Sequence, residues 1–130
     1  MKKVVLDTNV IVSAFLNPAG KPAIILQAVI RHDLDIYYDT AILAEYGEVL
    51  SRSKFTDKIQ LPAIHRFIDL IGDFGWKITC IPSHFYMLDE KDRKFYDIAI
   101  SSGAALITGN KKHYPDKSFV YDPAEFLQLL

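Results

Sequence analysis

Short apolar runs alternate with amphipathic stretches along the whole chain. The apolar runs predict five strands, at residues 4–6, 36–38, 76–81, 105–108 and 119–121. Stretches with apolar residues on one face predict helices at 9–15, 41–52 and 92–103. Two prolines, Pro22 and Pro62, are each expected to open a further helix, and Asp122-Pro123 should start a last one running to Leu130.

Strands that alternate with helices favour a parallel sheet covered by helices on both faces. The expected fold class is therefore α/β, a three-layer α/β/α arrangement around a parallel sheet of four to five strands, resembling a Rossmann fold. At 130 residues, the chain is expected to form a single domain spanning 1–130. In sheets of this kind, ligands collect beyond the carboxyl ends of the strands.

Composition narrows the class of protein further. Half of the residues are hydrophobic and 24% are charged, which suits a packed core rather than disorder. The net charge is −1, so binding of a polyanion would need local basic patches or bound metal. The chain has a single cysteine, Cys80, which rules out an internal disulfide and suits a reducing cytosol. We expect this cysteine to be buried in the core.

The apolar runs are too short for a membrane span. The first of them ends after three residues at a carboxylate, Asp7, so it does not predict a signal peptide. The expected location is cytoplasmic, with no membrane contact.

Polar residues follow the predicted strands where ligands would collect. Asp7 follows the first strand, Glu45 lies on the helix after the second, Asp92 starts the helix before the fourth, and Asn110 lies just past the fourth. Clustered carboxylates repel one another unless they are protonated or share a cation. Hard oxygen ligands suit Mg²⁺ or Mn²⁺, which can activate a water for in-line attack on a phosphoryl group.

Each acid also has a simpler interpretation. Asp7 and Asp92 could cap the helices that follow them, and Thr40 is a plausible cap for the helix at 41–52. Glu45 could be a solvated helix residue, and Glu48, three positions later, is an alternative to it. The joint placement of the acids, rather than any single one, favours the metal site.

Four ordered segments, residues 4–14, 45–52, 89–99 and 105–110, together with 123–127, resemble the PIN-domain family. The resemblance is greatest to its stand-alone prokaryotic branch, the VapC-like ribonucleases proposed as toxins of toxin–antitoxin pairs. It implies that Asp7, Glu45 and Asp92 are the catalytic, metal-binding acids. A fourth position falls on Asn110, where Asp is commonest, so a neutral oxygen should weaken a second metal site.

Further site residues are predicted beside these acids. Asp97 is either an additional outer metal ligand or an exposed helix acid. Three residues, Thr8, Asn9 and Thr108, should orient the carboxylates or bridge water. Basic residues near the acids are candidates for contacts to RNA phosphates: Arg52, Arg93, Lys94, Lys111, Lys112 and His113.

Aromatic residues near the predicted site have two interpretations. Tyr37, Tyr38, Tyr96 and Tyr114 could stack on unpaired bases, but strand and helix spacing favours core positions for most of them.

The resemblance implies an Mg²⁺- or Mn²⁺-dependent endoribonuclease that hydrolyses phosphodiester bonds with a metal-activated water. Its expected partners are RNA, either single-stranded or structured and including tRNA, a cognate antitoxin protein, and a second copy of the chain in a homodimer. The antitoxin is expected to insert a basic side chain into the acidic pocket.

Three other classes of protein share part of this pattern. A haloacid-dehalogenase-like phosphatase needs a second Asp two residues after the first, and Asn9 stands there. A dinucleotide-binding domain lacks its glycine-rich turn after the first strand. The remaining alternative is a domain of the same fold that binds RNA or a partner with weak or no catalysis.

Overall fold

The computed structural model describes residues 2–115 and 117–130. Within them, five parallel strands form one sheet in the order β3-β2-β1-β4-β5. The strands are β1 Lys3–Leu6, β2 Asp35–Tyr38, β3 Trp76–Lys77, β4 Ala105–Ile107 and β5 Val120–Tyr121. The helices are α1 Thr8–Leu16, α2 Lys21–Ile30, α3 Thr40–Leu50, α4 Leu61–Phe74, α5 Arg93–Ser102 and α6 Pro123–Leu127.

The strand order explains where a site can form. From β1 the chain steps outward to β2 and β3, then returns past β1 to β4 on its other side. Because such crossovers are right-handed, the return helix α5 covers the face opposite α1 to α4, and it packs on β1, β2 and β4. The direction of winding therefore reverses between β1 and β4, where ligands of doubly wound sheets bind. Asp7 and Thr108 lie at this point, each directly after its strand.

The predicted α/β sandwich is confirmed in its class and layers. The central strands are buried on both faces, with Val4, Val5 and Leu6 of β1 fully enclosed. Continuous apolar runs are typical of strands covered on both sides. The largest side chains in the core, Tyr46 and Tyr96, come from α3 and α5 and pack on opposite sides of the sheet.

Several helix ends match their sequence signals. Pro22 lies in the first turn of α2, and Gly103 ends α5 with a φ of 72°, a left-handed conformation that glycine adopts without strain. Asp122 and Glu125 form a reciprocal capping box at α6. The cap predicted at Thr40 is wrong by one residue, because Asp39 accepts from the Ile42 N–H at 2.7 Å and Thr40 is the first helical residue.

The third strand is shorter than predicted, and its register gives the reason. Lys77 pairs with Tyr38, the last residue of β2, so the chain beyond it has no neighbouring strand to pair with. Ile81 is 90% exposed, and Cys80, predicted to be buried, is only half-buried.

Helix lengths also differ from the predictions. α3 ends at Leu50, before a 3-10 turn at Ser53–Phe55, and α6 ends at Leu127.

Among the helices the structure describes, none alone has the length and hydropathy to cross a bilayer. Only α1 and α2 taken together reach that length, and they meet at a bend of 101°.

Candidate metal site at the carboxyl edge of the sheet

Asp7 is a buried carboxylate held by two hydroxyl groups. Its Oδ2 accepts hydrogen bonds from Thr108 Oγ1 at 2.9 Å and from Tyr114 Oη at 2.8 Å. Asp7 stands at the N-cap position of α1, but its side chain makes no capping hydrogen bond. Burial raises the pKa of Asp7 and the charge of Glu45 adds to this, while the hydrogen bonds from Tyr114 and Thr108 act against it.

Glu45 lies on the face of α3 that meets α1 and α5. One of its oxygens accepts a hydrogen bond from Thr8 Oγ1, and the other lies 2.8 Å from Lys94 Nζ. The side chain is 28% exposed, so it is not the solvated residue of the simpler interpretation. Glu48 is exposed and forms an ion pair with Arg52 at 3.0 Å, which makes it the weaker candidate of the two.

Asp92 ends a 3-10 turn at Glu90–Asp92 and directly precedes α5. Its side chain does not cap the helix. Its Oδ2 is buried and has no hydrogen-bond partner among the residues that the structure describes, and His113 Nδ1 lies 3.6 Å away. Burial raises the pKa of Asp92 to about 6, and the charges of Asp7 and Asp89 contribute to the increase.

The three acids are near enough to influence one another. Glu45 raises the pKa of Asp7, and Asp7 raises that of Asp92. A cleft of about 740 Å³ has both Glu45 and Asp92 in its wall, together with Thr8 and Asn9. This is an arrangement in which a cation would relieve repulsion.

The donor groups at this site are of the kind that a divalent cation prefers. Carboxylate oxygens, one of them buried and unpartnered at Asp92, match the preference of Mg²⁺ and Mn²⁺ for hard ligands. Within residues 2–115 and 117–130, no three acidic, histidine or cysteine side chains are close enough to ligate one ion directly. The donor chemistry therefore fits a cation that keeps much of its own water, as Mg²⁺ does.

The turn after β4 ties the fourth predicted position to the site. The backbone N–H of Asn110 donates to Thr108 Oγ1 at 3.0 Å, and the Gly109 N–H donates to Asn9 Oδ1 at 3.0 Å. A Cβ at Gly109 would lie 3.3 Å from that same oxygen, so a glycine allows the close approach. Asn110 is exposed, and the hydrogen bonds in the described part of the chain do not link its side chain to the acids.

Asp97 is buried, which excludes the exposed helix acid of the simpler interpretation. Its Oδ2 accepts from the Ser83 N–H at 3.0 Å, and its Oδ1 is buried without a partner. Arg93 donates to the carbonyl and hydroxyl oxygens of the same Ser83 at 2.9 and 3.0 Å. Asp97 and Arg93 thus fasten the segment after β3 to α5.

The basic residues predicted for RNA mostly have acidic neighbours in the protein. Arg52 pairs with Glu48, Arg93 with Glu90, Lys94 with Glu45, and Lys111 with Glu125. Lys112 is exposed beside them, and His113 faces Asp92. Acidic side chains of the protein therefore already neutralise most of the positive charge that was predicted to meet RNA phosphates.

Two contacts at the site were missed from the sequence. Tyr114 was considered for base stacking, but it is buried and bonds Asp7, and its raised pKa keeps the hydroxyl protonated as a donor. Lys94 was assigned to RNA, but its ammonium lies against Glu45. No local pattern could have found either contact, because each partner is far away along the chain.

Comparisons with known proteins identify the family and the fold. A family model described as PIN domain matches residues 3–112. An uncharacterized protein of Methanocaldococcus jannaschii is 34% identical over 112 residues, which cover 84% of this chain and 71% of that protein. The fold is similar to a chain in the crystal structure of VapBC2 from Rickettsia felis bound to a promoter DNA fragment. That similarity has a TM-score of 0.56 and 19% identity, and it covers 85% of this chain and 89% of the other.

Proposed function

This chain belongs to the PIN-domain family, and from that membership and its acidic cleft we propose that it is a metal-dependent endoribonuclease. The observation that carries the proposal is the group of three acids at the carboxyl edge of the sheet. Burial raises the pKa values of Asp7 and Asp92, and the charge of Glu45 adds to the first and that of Asp7 to the second. Such a group is costly in the free protein and becomes favourable with a cation.

In this proposal Asp7, Glu45 and Asp92 hold Mg²⁺ or Mn²⁺, and the neutral oxygen of Asn110 contributes at the rim. The bound ion would supply an activated water and neutralise charge on the scissile phosphate. The protein's own groups set the geometry of the ligands, since hydroxyls of Thr8 and Thr108 fix the carboxylates of Glu45 and Asp7. Asn9 braces the turn after β4.

Substrate contacts are proposed for the basic residues around the cleft. Lys94 and His113 lie beside Glu45 and Asp92 and are placed to meet phosphate oxygens near the cut bond. Arg52 lines the same cleft, and Lys111 and Lys112 follow the turn after β4. Arg93 acts on substrate indirectly in this scheme, by positioning the segment at Ser83.

The proposal is tested with labelled single-stranded RNA and tRNA in the presence of Mg²⁺ or Mn²⁺. The wild-type chain should cut, and EDTA or Asp7→Asn should reduce the rate at least about 100-fold. Asp39→Asn is the matched control, because it neutralises the acid that follows the neighbouring strand but keeps a side chain able to cap α3. Equal cutting by Asp7→Asn and Asp39→Asn would reject the assignment of the acids.

A second function, RNA binding with little or no cleavage, is favoured by two observations. The described residues contain no ready-made three-ligand cluster, and Asn110 replaces an acid. The same experiment separates the two functions, since RNA retained on the protein with no cut product in either metal would support binding alone. If Asn110→Asp cuts RNA and the wild type does not, the low cleavage activity is caused by Asn110.

Partner proteins follow from the family branch that the sequence resembles. We propose a small antitoxin encoded beside this gene, which would place a basic side chain in the acid cleft, and a homodimer of this chain. Co-expression with the neighbouring reading frame should suppress cutting and give a stable complex on a sizing column. A monomer that is unaffected by the neighbouring product would count against both partners.

A further inference from the structure

A second cleft, of about 400 Å³, lies beside the acid site, and the residues described in its lining are mainly aromatic and basic. One wall is the segment after β3, which contributes Phe85, Tyr86 and Leu88. The facing wall follows β4 and contributes Lys112, His113 and Lys117. Among the described residues that line this cleft, none is acidic.

Two residues of the second cleft contact acids of the proposed metal site. His113 lines the second cleft, and its Nδ1 lies 3.6 Å from Asp92 Oδ2. Tyr114 lines the second cleft as well, and its hydroxyl donates to Asp7 Oδ2 at 2.8 Å. A strand bound in the second cleft would therefore lie next to Asp7 and Asp92.

The apolar side chains of the second cleft face solvent although their backbone is anchored. Phe85 is 48% exposed and Tyr86 is 81% exposed. The next residue, Met87, is only 5% exposed and packs in the core. Two residues before Phe85, Ser83 is bonded to both Asp97 and Arg93. The segment is thus held in place on both sides of the exposed rings.

A line of aromatic contacts connects this surface with the catalytic acid. Phe85 meets Tyr96 edge to face with ring centroids 5.7 Å apart, and Tyr96 stacks on Tyr114 at 6.3 Å. Tyr114 in turn donates to Asp7. Phe85 is therefore fixed at one edge, and about half of its surface stays available to a ligand.

We propose that Phe85 and Tyr86 form a stacking platform for an unpaired base of the RNA, next to the phosphate that is cut. Exposed aromatic faces stack on any base, and the cations of Lys112 and Lys117 would pair with the phosphates on either side. The negatively charged RNA strand would be attracted to the basic cleft, and it would meet the acids at the scissile bond. The proposal rests on the proposed ribonuclease function for the identity of the ligand.

The platform also defines the form of RNA that is cut. Bases inside a duplex have no free face, so only unpaired nucleotides, such as those of loops or single strands, can stack there. Because the contact uses the base face and charge, it discriminates weakly between the four bases.

The test measures RNA binding without cleavage. A single-stranded RNA oligomer with one 2-aminopurine is titrated with the protein in EDTA, and its fluorescence falls when the base stacks. We expect quenching by wild type and by Tyr86→Phe, and an affinity lower by about tenfold or more in a Phe85→Ala, Tyr86→Ala double variant. Trp76→Ala is the matched control, because Trp76 is 54% exposed at the sheet edge, away from both clefts.

The outcomes separate this proposal from the nuclease proposal. Loss of binding in the double variant, with circular dichroism unchanged, supports the platform even if wild type cuts nothing. Binding and quenching equal to wild type in the double variant overturn the platform even if metal-dependent cutting is intact. Equal RNA affinity with loss of a complex formed with the neighbouring gene product would assign the cleft to a protein partner and would also overturn it.

Discussion

At the scale of single residues, the carboxylate of Asp7 is oriented by its hydrogen bonds. Two hydroxyl donors fix one oxygen of a group that burial would otherwise drive toward protonation. Donors of this kind orient a ligand and keep it ionised, and their loss usually lowers metal affinity 10- to 100-fold.

Thr108→Val removes one of the two donors and keeps the shape of the side chain. We expect Mn²⁺ affinity, measured by calorimetry, to fall about tenfold, because Asp7 becomes less well oriented and harder to ionise. Thr56→Val is the matched control, since Thr56 donates to a carbonyl in an exposed turn. An affinity that is the same in both variants would mean that the hydroxyl of Thr108 does not orient the ligand.

Asp92 gives the protein a pH dependence of definite sign. Its pKa of about 6 in the folded chain exceeds the ordinary value of 3.8, so the native state binds the proton more tightly than the unfolded state. The stability contributed by this group is therefore present at low pH and is lost as pH rises through this window.

Asp92→Asn should be more stable than wild type in EDTA at neutral pH, by up to about 2 kcal/mol after screening by solvent. The advantage should shrink to nearly nothing at about pH 4, where wild type is also neutral. Urea unfolding at several pH values measures this. A constant difference across the range would show that Asp92 does not titrate as described.

The residues that could be predicted from sequence are those whose position follows from the order of elements. Acids directly after buried strands share one edge of a parallel sheet, which gives the neighbourhood of Asp7, Glu45 and Asp92. The contacts of Tyr114 with Asp7 and of Lys94 with Glu45 depend on packing between distant segments. Side-chain spacing along the chain carries no signal for such contacts.

At the scale of elements, two glycines show opposite requirements. Gly103 ends α5 with a φ of 72°, which costs any other residue energy, whereas Gly72 lies inside α4 with open space around its Cα. Helix propensity alone favours Ala over Gly by roughly 1 kcal/mol at an interior site.

Gly72→Ala should raise the free energy of unfolding by about 0.5–1 kcal/mol, and Gly103→Ala should lower it by about 1 kcal/mol or more. Denaturant unfolding of the two variants, which carry the same chemical change, checks the pair. Changes of the same sign would contradict the backbone geometry given for these two glycines.

Helix boundaries marked by Pro22, Pro62 and Gly103 were predicted well because Pro and Gly act through local backbone chemistry, whereas α3 and α6 end earlier than predicted. The length of β3 was not, because a strand continues only as far as its neighbour does, and β2 ends at Tyr38. The apolar run at 76–81 therefore leaves the sheet after Lys77, and the chain continues into the segment that carries Phe85 and Tyr86.

At the scale of the whole molecule, winding in two directions from β1 brings distant residues to one place. The reversal between β1 and β4 leaves an opening at their carboxyl ends, and the residues after both strands close around it. With a net charge of only −1, the chain places a cleft of mixed charge, which contains Glu45 and Asp92, near a second cleft whose described lining includes Lys112, His113 and Lys117.

The central claim is that Asp7, Glu45 and Asp92 bind a divalent cation together. Calorimetric titration of wild type, Glu45→Gln and Asp39→Asn with Mn²⁺ at neutral pH tests it most directly. We expect saturable binding that is weakened at least about tenfold in Glu45→Gln and unchanged in Asp39→Asn. Equal Mn²⁺ affinity in all three proteins, or no binding by wild type, would contradict it.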